Sequence, residues 1–389
     1  MAFKHGITLT EVTDGVRTLT AVSTSVIGLI AIAEDADANV FPLDTPVLIT
    51  DIESAIGKAG VTGTLAGSLR AIADQIRPVL VVIRVAEGDT DAETASNVIG
   101  AVTADGEKTG MQALLDAKSL LGVQPKILGT PGLETLAVTT ALVVAADKLR
   151  AFPYVRVVGE TAAAAALYRA NFAEREGMLL YPDFLRWDVA SKSNVVSYAA
   201  AVAMGLRAKI DTEVGPHKTL SNMPVAGVVG LSKPLSWDIE DQSTDAAVLN
   251  QAHITAAVRT DLGFRFWGNR TTAEPESPFV FESTTRVAQL IADTVARGML
   301  WAIDKPLTPG LATDIIGTVN GLFRELKKSG VILGANAWFD PAQNSEASLK
   351  VGKLRIDYDY TVPPPLEDLG FSQRITDVYF ADFANQLVA

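Results

Sequence analysis

No cysteine occurs anywhere in the 389 residues. Disulfides and thiolate metal sites are therefore excluded, and the chain fits synthesis in a reducing cytosol. Histidine is scarce. His5, His217 and His253 lie far apart and none belongs to a His-Glu-x-x-His pattern, so each is expected on the surface or in packing rather than on a metal. Cations are outnumbered, 33 Lys and Arg against 45 Asp and Glu, for a formal net charge of −12. Phosphate contacts need clustered Lys and Arg, so nucleic acid is not an expected partner. The acidic excess suits a protein held soluble at high concentration. Long hydrophobic runs are missing too. Residues 26–33 and 136–146 are the longest strongly apolar stretches, too short to span a bilayer. Residues 1–10 lack the charged-then-apolar pattern of a signal peptide, so a soluble chain without direct membrane insertion is expected.

The usual catalytic and cofactor motifs are missing as well. Gly57-Lys58-Ala59-Gly60 and Gly129-Thr130-Pro131-Gly132 are glycine-rich, but no Gly-Lys-Ser/Thr closes a phosphate cradle and the dinucleotide spacing is absent; both read as turns. Asp35-Ala36-Asp37-Ala38-Asn39 begins like a calcium loop, then fails at Val40 and at Pro46. Gly230-Leu231-Ser232 continues into Lys233-Pro234, not into a nucleophile elbow. Paired carboxylates stay open, since any two of 45 acidic residues can meet in space. No catalytic, cofactor or metal residue is assigned.

What is present is an ordinary globular mix, 48% hydrophobic and 20% charged, with length for two or three domains. Between about 26 and 254 apolar strand-like runs alternate with helical ones. Strands are expected at 26–33, 46–50, 79–85, 125–128, 154–158 and 178–181. Helices are expected at 65–76, 111–120, 133–150, 162–174 and 195–211. Leu65, Leu69, Ile72 and Ile76 share one helical face. This alternation predicts an α/β layer with parallel pairing. After about 255 the texture changes to two helices, 286–301 and 311–328, then strands at 331–339 and 353–360. In the last of these, Leu354, Ile356, Tyr358 and Tyr360 face one way and Arg355, Asp357 and Asp359 the other. Pro363-Pro364-Pro365 imposes an extended break.

Near the change of texture, Gly263-Phe264-Arg265-Phe266-Trp267-Gly268-Asn269-Arg270-Thr271 packs three aromatics and two arginines into nine residues of a chain that is 7% aromatic. By spacing alone it is a twisted strand with an Arg over a Trp face; an interface anchor is the sharper reading. Both ends of the chain alternate like strands. Ile7, Leu9 and Val12 mark an N-terminal arm, and Ile375, Val378 and Phe380 a C-terminal arm beyond the prolines. Unpaired strands seek an edge, either in a neighbouring copy or in the arm's own domain, and sequence physics leaves both open.

Several segments together resemble the contractile tail sheath proteins of myoviruses and R-type pyocins, above all those of short P2-like tails. They are His5-Gly6-Ile7, Phe41-Pro42-Leu43, Pro46-Val47-Leu48-Ile49-Thr50, Gly63-Thr64-Leu65, Ala71-Ile72-Ala73-Asp74, Tyr181-Pro182-Asp183-Phe184, Gly205-Leu206-Arg207-Ala208-Lys209-Ile210-Asp211, the aromatic–arginine segment, Trp301-Ala302-Ile303-Asp304-Lys305-Pro306 and Phe323-Arg324-Glu325-Leu326-Lys327. The resemblance spans essentially the whole chain. It implies an α/β outer region, 25–254, inserted between an N-terminal arm, 1–24, and a C-terminal α+β inner domain, 255–369, followed by a C-terminal arm, 370–389. It also implies exchanged β-strand arms and stacked hexameric rings around an inner tail tube. Contraction on a baseplate signal then drives the tube through a target envelope. Baseplate and tail terminator proteins are the further partners. Assembly is expected in the bacterial host cytoplasm, and the product is a virion tail or a released bacteriocin-like particle. The resemblance places helix 311–328 near the tube, which makes Arg324, Lys327 and Lys328 candidates for tube contact. Arg265, Trp267, Asn269 and Arg270 become a fingerprint of the inner domain. The rival reading is a ring-forming α/β enzyme with oligomerisation arms.

Overall fold

The computed structural model describes residues 19–380. Ile7, Leu9 and Val12 lie outside the described residues.

The strands in chain order are β1 (Ile27–Ile32), β2 (Val47–Ile49), β3 (Leu80–Val85), β4 (Ile127–Gly129), β5 (Phe152–Arg156), β6 (Met178–Tyr181), β7 (Phe184–Asp188), β8 (Ser193–Ser197), β9 (Gly230–Leu231), β10 (Ile254–Thr260), β11 (Gly263–Trp267), β12 (Gly334–Trp338) and β13 (Asp357–Thr361). Eight of them form one sheet in the order β11-β10-β6-β5-β4-β1-β3-β2. Pairing from β3 through β1, β4, β5 and β6 to β10 is parallel, as the strand–helix alternation predicts. The two edge strands, β2 and β11, run antiparallel to their neighbours.

The helices are α1 (Ile52–Ile56), α2 (Leu65–Ala73), α3 (Asp91–Ile99), α4 (Ala117–Leu121), α5 (Leu136–Leu149), α6 (Ala162–Arg169), α7 (Ala199–Glu213), α8 (Asp245–Gln251), α9 (Glu282–Gly298), α10 (Pro309–Lys328) and α11 (Glu346–Lys350). Strand alternation divides the large body into two cores. Leu29 and Ala31 of β1 and Leu80 and Val82 of β3 point into a layer shared with α2 and α7. Ile30, Ile32, Val81 and Ile83 point into the opposite layer, against α3, α5, α6 and α8. A sheet covered on both faces requires apolar runs rather than alternation, and β1 and β3 are buried at every residue.

A second, smaller lobe follows. Val287, Leu290 and Ile291 of α9 pack with Val319, Leu322, Phe323 and Leu326 of α10, and Leu19 and Val22 join them from the N-terminal side. The α10 helix is well specified. Thr308 caps its N-terminus by accepting from Leu311 N–H, Pro309 sits at the first position, and Lys327 and Lys328 fall in the last turn. Gly330, at φ +77°, releases the chain from the helix.

The structure corrects four expectations. The helix expected from residue 195 starts at Ala199, because Val195 and Val196 pair with Arg186 and Leu185 in the β7–β8 hairpin. Residues 110–116 form a 3-10 turn before the short α4. No boundary falls at 254/255: β10 begins at Ile254, and it and β11 belong to the large sheet, with Ala257 and Phe266 in one core and Ala256 and Val258 in the other. The aromatic–arginine segment is therefore an edge strand of the larger body, not part of the smaller lobe. Finally, residues 371–380 form no strand within this chain.

Candidate assembly site

Three surfaces and one buried joint carry the chemistry. The first surface is the C-terminal end of α10. Arg324, Lys327 and Lys328 are all exposed, and no ion pair engages them among the described residues. Leu322, Phe323 and Leu326 hold the opposite face in the core, so the helix presents these cations outward.

The second surface is the two-stranded sheet of β12 and β13. Two strands alone are marginal in water. At Ala337 the outer side of β12 is closed, because the Asn320 amide both accepts from its N–H and donates to its C=O, at 2.9 Å each. The outer side of β13 has no strand beside it among the described residues. The third surface is the chain beyond residue 370. Phe371, Ile375, Val378, Tyr379 and Phe380 are exposed, Ile375 at 97%.

The fingerprint residues are brought together, but around the edge of the large sheet. Phe266 packs edge-on against Phe184 at 5.2 Å, and Trp267 against Trp237 at 5.3 Å. Arg265 donates to the Asn222 carbonyl at 2.5 Å and to its side chain at 3.1 Å. The Asn269 carbonyl accepts from Glu282 N–H, which fixes the start of α9. Arg270 forks onto Glu367, Nε to Oε1 at 2.9 Å and Nη2 to Oε2 at 2.7 Å. Its Nη1 lies 3.0 Å from Nε2 of the buried His253. A guanidinium only donates, so this nitrogen accepts and the imidazole is neutral; burial and the Arg270 charge hold its pKa below the usual value.

Sequence reasoning missed the buried joint. Glu282, Arg286, Gln289 and Asp293 recur at helical spacing along one side of α9. Glu282 accepts from the Tyr154 hydroxyl, from Arg207 Nη1 at 3.3 Å, and from Leu220 N–H and the Thr219 hydroxyl at 3.3 Å each. Arg286 pairs with Asp211, and Arg207 pairs with the same carboxylate at 2.7 Å. Gln289 donates to the Ala151 carbonyl, and Asp293 meets Lys126 at 2.5 Å and Arg150 at 3.1 Å. Thus α9 shows charges to the large body and Val287, Leu290 and Ile291 to the small lobe. The signal was available: Arg207/Asp211 and Glu282/Arg286 are both i, i+4 pairs, the first inside an alanine-rich helix.

The described residues hold no helix long and apolar enough to cross a membrane, and no cluster of His, Cys, Asp or Glu suited to a metal. Asp35, of the truncated calcium-like segment, instead accepts from Val61 and Thr62 N–H and from the Thr62 hydroxyl, which lowers its pKa to about 2.

Comparison with known proteins converges on one family. The phage tail sheath protein central domain matches residues 106–272, the phage tail sheath C-terminal domain residues 274–376, and the N-terminal region of domain III of tail sheath protein Gp18 residues 24–85. The tail sheath protein of Escherichia phage P2 is 49% identical over 392 residues, covering 99% of this chain and 98% of that protein. This chain belongs to the phage tail sheath family. The major tail sheath protein of Serratia phage KSP20 is 46% identical, across 98% of each chain. The sheath fold extends to solved assemblies of low identity. The contracted sheath of the extracellular contractile injection system PVC superposes with a TM-score of 0.72 at 15% identity, over 98% of this chain and 99% of that one. The contracted helical sheath of the anti-feeding prophage gives 0.71 at 16%, over 96% and 100%. The sheath chain is a structural tail subunit with the fold of contractile sheaths; nothing among these relatives supports an enzyme. The family's own division at 272/274 also agrees with the change of core seen here, not with 254/255.

One buried group in this sheath protein titrates near neutrality. Glu134 follows β4, its carboxylate is enclosed, and neither oxygen has a hydrogen-bond partner. Arg156 stands 3.6 Å away and also 3.6 Å from Asp183. Burial raises the Glu134 pKa to about 7, against the pull of Arg156. The folded value lies above the unfolded one, so this group's contribution to stability is full below the unfolded pKa and is lost as pH rises to about 7. Glu134→Gln keeps the neutral form at every pH. It is expected to leave the melting temperature unchanged at pH 4 and to stabilise the protein at pH 8 by up to about 3 kcal/mol. Thermal unfolding at the two pH values checks this; equal shifts at both exclude a charged Glu134 as the cause.

Proposed function

We propose that the chain polymerises as stacked hexameric rings around an inner tail tube, and that contraction of the stack drives the tube through a target cell envelope. The observation that carries the polymer is the match between an open β13 edge and an exposed, unpaired C-terminal segment. A strand from one copy added to the β13 edge of another satisfies both. The matching edge and segment lie on different parts of the subunit, so such contacts run head-to-tail and build rings or helical stacks. Linking arms keep strands paired while rigid bodies reorient, as contraction demands.

In this reading the body ending near residue 272 faces outward. The lobe from about 274, with the N-terminal arm, faces the tube. Arg324, Lys327 and Lys328 then meet acidic tube residues through exposed charges that water and salt weaken, which lets the sheath slide. Baseplate and tail terminator proteins close the two ends of the stack. Assembly takes place in the bacterial host cytoplasm, and the product is a virion tail or a bacteriocin-like particle.

Reversing all three charges to Glu tests the reading. Electron micrographs of the variant assembled with its tube protein are expected to show few extended sheathed tubes, while free sheath polymers persist. Normal extended tails would refute the tube contact. If the unmodified chain gives only small closed oligomers, the sheath polymer itself is refuted.

A further inference from the structure

The C-terminal segment is fastened to its own subunit at one polar point beyond β13. Among the described residues, the Arg270–Glu367 fork is the one hydrogen-bonded or ionic contact that joins residues 363–380 to the rest of the chain. At the near end, the Thr361 carbonyl accepts from Leu333 N–H at 2.8 Å and Val362 packs into the small-lobe core. Between the two points stands Pro363-Pro364-Pro365, an extended strut of about 9 Å. Arg270 is itself fixed, by His253 on one side and the Phe281 ring at 6.0 Å on the other. A bidentate pair with one pre-positioned partner gives up less entropy on forming than an ordinary surface ion pair.

This mounting bears on a competition. The vacant β13 edge ends at Thr361, ten positions before the segment that could fill it begins at Phe371. A short flexible tether would present the segment to its own edge at an effective concentration in the millimolar range, far above that of a second copy in dilute solution. Self-pairing would then win and polymerisation would stop. We propose that the Arg270–Glu367 clasp and the proline strut hold the C-terminal segment away from the β13 edge of its own subunit and so reserve it for a second copy of this chain. The inference rests on the exchanged-arm reading above. It gives the aromatic–arginine segment a specific role, in which Arg270 anchors the root of the arm to the large body.

The lack of native cysteine makes paired labelling straightforward. Leu262→Cys, in the β10–β11 turn, and Leu369→Cys, just past the clasp, are both exposed sites for a pair of spin labels. In dilute monomer the labelled parent is expected to give one narrow distance distribution. Adding Glu367→Ala, or the size-preserving Glu367→Gln, is expected to broaden it and to slow polymer growth roughly tenfold, as closed monomers accumulate. Glu367 lies outside all three cores, so both variants fold. An unchanged distribution overturns the clasp. A broadened distribution with parental polymer growth overturns its role in reserving the segment. Failure of the exchanged-arm reading shows separately, as polymer growth by a chain truncated after Gly370.

Discussion

A chain ending at Gly370 is expected to fold normally and to form no sheath polymer at all. Among the described residues, none from 371 onward contributes to the three apolar cores, and Phe371, Ile375, Val378, Tyr379 and Phe380 stand in solvent. Their removal uncovers no core side chain, so the melting temperature should move by no more than about 2 °C. Assembly is another matter. Each strand-to-edge contact brings several backbone hydrogen bonds, at about 1 kcal/mol net each, together with burial of large apolar side chains. The loss recurs at every subunit of the stack, so even a modest weakening per contact abolishes long polymers. Negative-stain microscopy and sedimentation check the outcome. Sheath-length polymers at parental yield would remove the C-terminal arm from the assembly. Deleting residues 1–16 is the matching experiment at the other end.

How far the sequence announced this architecture depends on which physical signal each part leaves. The interior strands were plain, because a sheet covered on both faces writes unbroken apolar runs such as Ile27–Ile32 and Leu80–Val85. The α10 helix was plain because cap, proline and terminal lysines all agree with its periodicity. The edge pair β10 and β11 was not, since Ala256 and Ala257 at the centre of β10 carry little strand preference and are held in the sheet by pairing with β6 and β11. That is why residues 255–272 looked like the start of a new domain. Likewise Val195 and Val196 followed the helical pattern of their neighbours and were claimed by a hairpin partner. The family resemblance supplied the structural role in a tail sheath, which no motif could state. It did not supply the Glu367 contact of Arg270, which joins residues 97 positions apart and has no local signature.

Glu282→Ala is expected to destabilise the folded chain by about 3–5 kcal/mol, the cost of leaving a buried charge without its partner. The Glu282, Arg207 and Asp211 side chains are fully enclosed, and that of Arg286 is nearly so. With the Glu282 carboxylate gone, Arg207 keeps one carboxylate, Asp211, beside the Lys218 and Gly215 carbonyls, and the Tyr154 hydroxyl and Leu220 N–H lose their acceptor. The carboxylate also stands in the first turn of α9, where the exposed N–H groups of a helix favour negative charge. Glu282→Gln preserves shape and part of the hydrogen bonding, so it should fall between the parent and Glu282→Ala. Urea unfolding of the three proteins measures the series, and a loss under about 1 kcal/mol for Glu282→Ala would show that water enters and compensates. The form of the transition carries a second result. The joint is ionic on the large-body side of α9 and apolar on the other, so the bonds between body and lobe are directional. Removing the central acceptor should loosen the lobe first and split a single unfolding transition into two. A joint of this kind holds the two parts at one angle, whereas an apolar contact of the same area would let them slide. That is the property the proposed function asks of the subunit, in which force passes from the large body to the small lobe.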